Sequence, residues 1–249
     1  MFLITENGRK VAISHARRDA LLRDVRAHLD TMTGFRLATV NLDHLVQIAS
    51  NNVFADAYAQ HDIVVADGRP IRWMSQLAGQ PVEVITGSDL IVPLSRQAAQ
   101  AGRSIAMIGS SDAALSGAEA HLRAHVPDLT VAYRHAPAMG FDVDSDAAGD
   151  ILRDLEASGA GLCFLAFGAP KQERLAARAA LLAPSVGMVS IGAGLDFLAG
   201  HQTRAPRILR ILALEWLWRA ATSPARMVPR YAKCFAILPG LMWRAWRAR

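Results

Sequence analysis

The stretch GLCFLAFGAPKQERLAAR, residues 161–178, decides the fold. Its first seven residues, 161–167, form an apolar run that reads as a fully buried strand, and residues 173–178 carry the pattern of a helix. The break between them is Gly168-Ala169-Pro170, and it delivers Lys171, Gln172 and Glu173 together. A strand-to-helix turn is where an open α/β sheet places its ligand. Lys171 and Gln172 are therefore candidates to meet phosphate and a base or sugar hydroxyl. The plainer reading is a charged turn in which Glu173 braces the start of its own helix.

The same pattern recurs on both sides of this stretch. Strands are expected at residues 37–41, 62–68, 104–109, 129–133 and 187–192, with helices over 44–59, 70–77, 90–100, 112–124 and 147–158. The alternation predicts an α/β fold: a mostly parallel, Rossmann-like sheet flanked by helices. Ahead of it, Asn7-Gly8 between two short apolar runs predicts a hairpin closed by a two-residue turn.

In a parallel sheet every carboxyl-end turn lies along one edge. Thr39-Val40-Asn41, Asp67-Gly68, Gly109-Ser110-Ser111, residues 168–172 and Gly192-Ala193-Gly194 then share one crevice, which is the residue-level reason to expect an enzyme. Asp67 leaves a strand of four apolar residues into that crevice, where partial loss of water raises a carboxyl toward the range of a general base. Its structural alternative is a cap on the helix at Pro70. Gly109 and Gly192 permit close approach of backbone to phosphate, although neither triplet matches a dinucleotide fingerprint or a P-loop.

The chain has 249 residues, and its 52% hydrophobic content is enough for a sizeable core. Its net charge of +5 is unevenly placed: residues 1–200 carry 17 Lys+Arg against 21 Asp+Glu, and residues 201–249 carry 10 against one. The composition changes at residues 200–206, so we expect a catalytic α/β domain over 1–200 and a basic helical appendage over 201–249. Trp216, Trp218, Trp243 and Trp246 lie in the appendage, and Arg and Trp interleaved with Leu and Ile suit the headgroup layer of an anionic membrane. No groove-reading or stacking motif accompanies the charge, which argues against nucleic acid. No run approaches the ~18–20 uncharged apolar residues of a spanning helix. Cys163 and Cys234 stand far apart in apolar surroundings and are expected reduced, which favours the cytoplasm.

Asp142-Val143-Asp144 has the look of the DxD element of metal-dependent sugar transferases, but its neighbours read better as a solvated loop capping the helix at Ala147. His44, His61, His121, His125, His135 and His201 show no metal-ligand spacing, and most of them are expected as surface or capping residues. No metal and no cofactor are expected. These residues alone leave open a nucleotide-dependent transferase, or a nucleotide-binding regulatory module docked through its basic tail. Self-association is not readable.

Taken in order, several stretches resemble the WecG/TagA/CpsF family of bacterial glycosyltransferases. They are TVNLDH at 39–44, DIVVADGRPI at 62–71, TGSDL at 86–90, FGAPKQE at 167–173, GAGLDFLAG at 192–200, RAP at 204–206 and LEWLWR at 214–219. The resemblance spans roughly residues 37–231 and has one departure, Val84-Ile85 where an arginine commonly precedes the Thr-Gly. It implies an inverting, metal-independent enzyme, peripheral on the inner face of the cytoplasmic membrane, that moves a sugar from a UDP-sugar to a polyprenyl diphosphate-linked saccharide, in exopolysaccharide or wall-polymer synthesis. It further implies Asp67 as general base, Thr39 and Asn41 near the anomeric carbon and diphosphate, and Gln172 and Asp196 in the nucleotide pocket. Arg204, Arg219, Arg226 and Arg230 are implied as appendage cations for the leaving diphosphate.

Overall fold

The computed structural model describes residues 1–202, 206 and 215–249. An antiparallel hairpin, β1 (Phe2–Ile4) and β2 (Lys10–Ala12), precedes six parallel strands. These are β3 (Arg36–Val40), β4 (Ile63–Ala66), β5 (Ile105–Gly109), β6 (Val131–His135), β7 (Leu162–Ala166) and β8 (Gly187–Ser190), in the spatial order β4-β3-β8-β7-β5-β6. The helices of the body are α1 (Arg18–Thr31), α2 (Leu42–Ser50), α3 (Asn52–Ala59), α4 (Arg69–Leu77), α5 (Gly87–Gln100), α6 (Asp112–His125), α7 (Asp146–Ala157), α8 (Lys171–Leu182) and α9 (Gly194–Leu198). Two more, α10 (Glu215–Thr222) and α11 (Pro224–Arg247), belong to the basic C-terminal region. The α/β fold with a helix-flanked parallel sheet is as expected from the alternation of apolar runs.

β5 and β7 are buried along their whole length because helices cover both faces of the sheet. The two-residue period of a strand sorts their side chains: Leu162 and Phe164 enter one core with Leu37, Met107 and Val189, while Cys163 and Leu165 enter another with Ala106, Ile108 and Met188. The first core is closed by α1, α5, α6 and α9, and the second by α7 and α8. A third cluster, under α2, α3 and α4, joins Ala38, Val40 and Val64 to Leu3, Val11 and Ile13 of the hairpin region. Both cysteines are buried and unpaired, as expected.

Two local expectations need correction, and two helices add to the reading. The hairpin closes through three residues, since Thr5 and Arg9 exchange hydrogen bonds around Glu6, Asn7 and Gly8, and only Gly8 takes positive φ. The helix expected over 44–59 is two helices, broken at Asn51, whose extended backbone lets its side chain accept from the Phe54 N–H. Residues 18–31, to which the sequence reading assigns no element, form α1, which buries Leu21, Val25 and Leu29 at steps of four. Finally, α11 shares its core with the hairpin: Cys234 and Leu241 are buried in the cluster that holds Leu3, Leu45 and Met74.

Candidate active site

All six parallel strands end on one edge, so the five turns expected to share a crevice do lie along it. The sheet is not equally closed there. The β3–β4 ladder runs to the rim, where the Asp67 N–H donates to the Val40 carbonyl at 2.8 Å. The β7–β8 ladder also runs to the rim, with the Ile191 N–H on the Leu165 carbonyl at 3.1 Å. Between β3 and β8, however, only Arg36↔Met188 and Leu37↔Val189 are paired. The sheet is split beyond them, and the candidate site residues stand on the two sides.

Asp67 and Thr39 stand on the β4–β3 side. Asp67 is half-buried, and Gly68 follows it with a φ of 88° that a side chain would strain. Gly68 occupies the N-cap position of α4 and makes no side-chain cap bond. Thr39 is buried, and its carbonyl accepts from the Tyr58 hydroxyl at 2.8 Å and from His44 Nδ1 at 2.7 Å. A carbonyl only accepts, so the His44 ring carries its proton on Nδ1. Burial, reinforced by the carboxylates of Glu173 and Asp67, pushes the Tyr58 phenol well up and keeps it a donor. Asn41 caps α2, its Oδ1 accepting from the His44 N–H at 3.0 Å.

The β8–β7 side is built from the opening stretch. Gln172 is buried, accepts from the Gly192 N–H at 2.9 Å through Oε1, and donates from Nε2 to Glu173 Oε1 at 2.8 Å. Glu173 does not brace the helix start. Pro170 holds the N-cap position of α8, and the Glu173 carboxylate is turned inward at 0% exposure, with Oε2 lacking a hydrogen-bond partner among the described residues. Lys171 turns away from the split, its Nζ donating to the Phe141 carbonyl at 2.6 Å. Arg178 holds the carbonyls of Val143 and Ser145, and Arg174 pairs with Asp144, so α8 grips the loop after β6. Farther along the rim, Asp196 of α9 accepts from the Ser110 hydroxyl at 2.6 Å. Gly109 is required by packing: at φ 112° an added Cβ would lie 2.5 Å from the Ala166 carbonyl oxygen.

Of the appendage cations, Arg230 is described and pairs with Asp43 in the first turn of α2 at 2.7 Å, which brings α11 to the rim beside Asn41. Arg204 and the side chains of Arg219 and Arg226 lie outside what the structure describes. The Asp142–Asp144 element is the capping loop: Asp142 accepts from the Asp144 N–H, and Ser145 caps α7. Most of the six histidines are not buried, as expected, with two exceptions. His44 and His61 are buried, and burial lowers the His61 ring to about 4. Among the described residues no three His, Cys, Asp or Glu side chains gather where a metal could sit.

Tyr58 is a functional candidate that motif reading passed over, while His44 and Glu173 lie in the motif stretches but read there as a surface or capping residue and a helix brace. Their signal was helical spacing: Phe54 and Tyr58 lie four apart on the inner face of α3, and Gln172, Ala176 and Ala179 mark the inner face of α8.

The family model for the glycosyl transferase WecG/TagA/CpsF family matches residues 8–249. The chain is also 25% identical over 210 residues to an N-acetylglucosaminyldiphosphoundecaprenol N-acetyl-beta-D-mannosaminyltransferase of Bacillus spizizenii, covering 82% of this chain and 79% of that protein. This chain belongs to the WecG/TagA/CpsF family of glycosyl transferases.

Proposed function

We propose that this family member transfers a sugar from a UDP-sugar to a polyprenyl diphosphate-linked saccharide, using the split between β3 and β8 as its active site. The supporting observation is that Asp67 stands at the rim on one side of the split while Gln172 and Gly192 stand on the other. In this reading the Asp67 carboxylate takes the proton of the acceptor hydroxyl as that oxygen attacks the anomeric carbon. The bond to UDP breaks with inversion, and the diphosphate leaves with the nucleotide. Two negative charges leave with it, and arginines of the appendage, Arg230 among them, supply the compensating field without a metal. Thr39 and Asn41 lie toward the sugar and diphosphate, and Gln172 and Asp196 toward the nucleotide. The name of the Bacillus spizizenii relative favours N-acetylmannosamine as donor sugar and a GlcNAc-diphospholipid as acceptor.

The lipid acceptor calls for a membrane surface, and no helix among the described residues is long and apolar enough to cross one. α11 offers an alternative, since Val228, Phe235, Trp243 and Trp246 are exposed at helical spacing. The Trp216 ring from α10 meets Phe235 at 5.2 Å and extends this surface. Lys233 and Arg247 lie along the same helix, which suits an anionic leaflet, while Arg230 and Arg244 turn to the body.

The test is product formation from UDP-ManNAc and a polyprenyl diphosphate-GlcNAc acceptor, with UDP-GlcNAc, UDP-glucose and EDTA controls. EDTA-insensitive transfer from a UDP donor is expected; absence of transfer from every UDP donor contradicts the reading. Trp243→Ala/Trp246→Ala, at positions 58% and 51% exposed, should keep the fold and lose co-sedimentation with anionic vesicles. Unchanged sedimentation removes the membrane role.

A further inference from the structure

The split between β3 and β8 is held open by side chains that replace one missing backbone hydrogen bond. In a parallel ladder donors on one strand recur every second residue. The Met188 N–H donates to the Phe35 carbonyl, so an unbroken ladder would bring the Gly192 N–H to the Thr39 carbonyl. Neither group is left without a partner. The Thr39 carbonyl takes the Tyr58 hydroxyl and His44 Nδ1, and the Gly192 N–H takes Gln172 Oε1. Gln172 is in turn oriented by Glu173, because its amide nitrogen is fixed on the Glu173 carboxylate and its oxygen is thereby presented to Gly192. α3 and α8 pack together, bringing Tyr58 and Glu173 into the same buried region.

A buried carboxylate is an unfavourable way to hold one helix end. Glu173 is fully buried, one of its oxygens serves Gln172, and the other has no hydrogen-bond partner among the described residues. An apolar residue would fill the space as well, but it would leave the Gln172 amide free to turn and Gly192 unpaired. Gly192 takes a φ of 57° and leads directly into α9, whose Asp196 is tied to Ser110 across the rim. The orientation of Gln172 thus reaches the strand ends of β8 and β5.

We infer that Glu173 and Tyr58 are positioning residues that hold opposite sides of the opened sheet, Tyr58 acting through the Thr39 backbone and Glu173 through Gln172 and Gly192. The inference rests on the reading of the split as the active site, and it divides the two effects. Tyr58 shapes the side that carries Asp67, so its loss lowers kcat. Glu173 shapes the nucleotide side, so its loss raises the donor KM.

The experiment is steady-state transfer at saturating acceptor, together with amide exchange at Gly192, on the full chain carrying Tyr58→Phe, Glu173→Ala, Glu173→Asp, Glu173→Gln or Glu173→Met, with Asp67→Asn alongside. We expect Tyr58→Phe to lower kcat about tenfold at nearly unchanged donor KM, and Glu173→Ala to raise donor KM about tenfold at nearly unchanged kcat. Glu173→Ala should also speed Gly192 exchange. Glu173→Asp, too short to reach Gln172, should behave like Glu173→Ala and serves if the alanine variant does not fold. Glu173→Gln keeps an acceptor for the Gln172 amide and should recover most of the loss, whereas Glu173→Met fills the space without an acceptor and should not; a purely space-filling role would be restored by both. Wild-type kinetics and wild-type Gly192 exchange in the alanine and aspartate variants would overturn the inference while leaving the transferase reading intact. If the wild-type chain transfers nothing and Asp67→Asn is indistinguishable from it, the transferase reading fails. Gly192 exchange then still decides whether Glu173 holds Gln172 in place.

Discussion

Two ladders of one sheet, separated by the β8–β7 pair, end differently. β5 and β7 are paired through five residues, up to Gly109↔Ala166 at the rim, whereas β3 and β8 are paired through only two. At the closed end the strands approach so tightly that Gly109 has no room for a side chain. At the open end, side chains from three helices take over the backbone's hydrogen bonds. The lesson is that backbone pairing and access to the rim compete, and that access comes with buried polar side chains, each of which must be satisfied.

The largest expected effect strikes the open side. Asp67→Asn should lower transfer by about 10³-fold, within the usual range for a lost general base, while UDP affinity and melting temperature stay near wild type. A variant that retains turnover would remove Asp67 as the base. The closed side should fail in the opposite way. Gly109→Ala forces a Cβ within 2.5 Å of the Ala166 carbonyl at a positive φ, so unfolding by denaturant should show a loss of roughly 3–4 kcal/mol, with lost activity only a consequence. A loss below about 1 kcal/mol would mean that the β5–β7 rim yields easily.

A somewhat smaller effect comes from beneath the open side, where the His61 ring lies 5.6 Å from that of Tyr58. His61 remains neutral in the fold down to about 4, against 6.5 for the free side chain. Between those values the unfolded chain binds the extra proton, so stability falls as pH is lowered from 6.5 toward 4 and is fully present above that window. The total is roughly 3 kcal/mol, and His61→Gln should flatten that slope in denaturant titrations across the window. An unchanged slope would assign the acid sensitivity to other groups.

The sequence made the parallel sheet legible because residues 105–108 and 161–167 are uninterrupted apolar runs, each closed by glycine and followed by helical spacing. It placed Asp67, Asn41, Gly192 and Gln172 at strand ends for the same reason. The split itself was not legible, since it depends on which strands are neighbours, and β3 and β8 are separated by most of the chain. Glu173 was misread for a related reason. Next to Lys171 and Arg174 it looks like a solvent-facing charge, and only the inward face shared with Ala176 and Ala179 shows that it is buried. The hairpin turn differs because Asn7 Oδ1 accepts from the Thr5 hydroxyl and its Nδ2 donates to the Ala49 carbonyl, contacts with no trace in a two-residue motif.

The most direct test of where the site lies is a UDP titration of the intact chain followed through its backbone amide resonances. The account predicts saturable shifts at Thr39, Asp67 and Gly192, on both sides of the split, with the outer edge of β6 around Tyr133 unaffected. Silence at those three amides under UDP concentrations that saturate the protein, or shifts confined to the β6 edge, would contradict it.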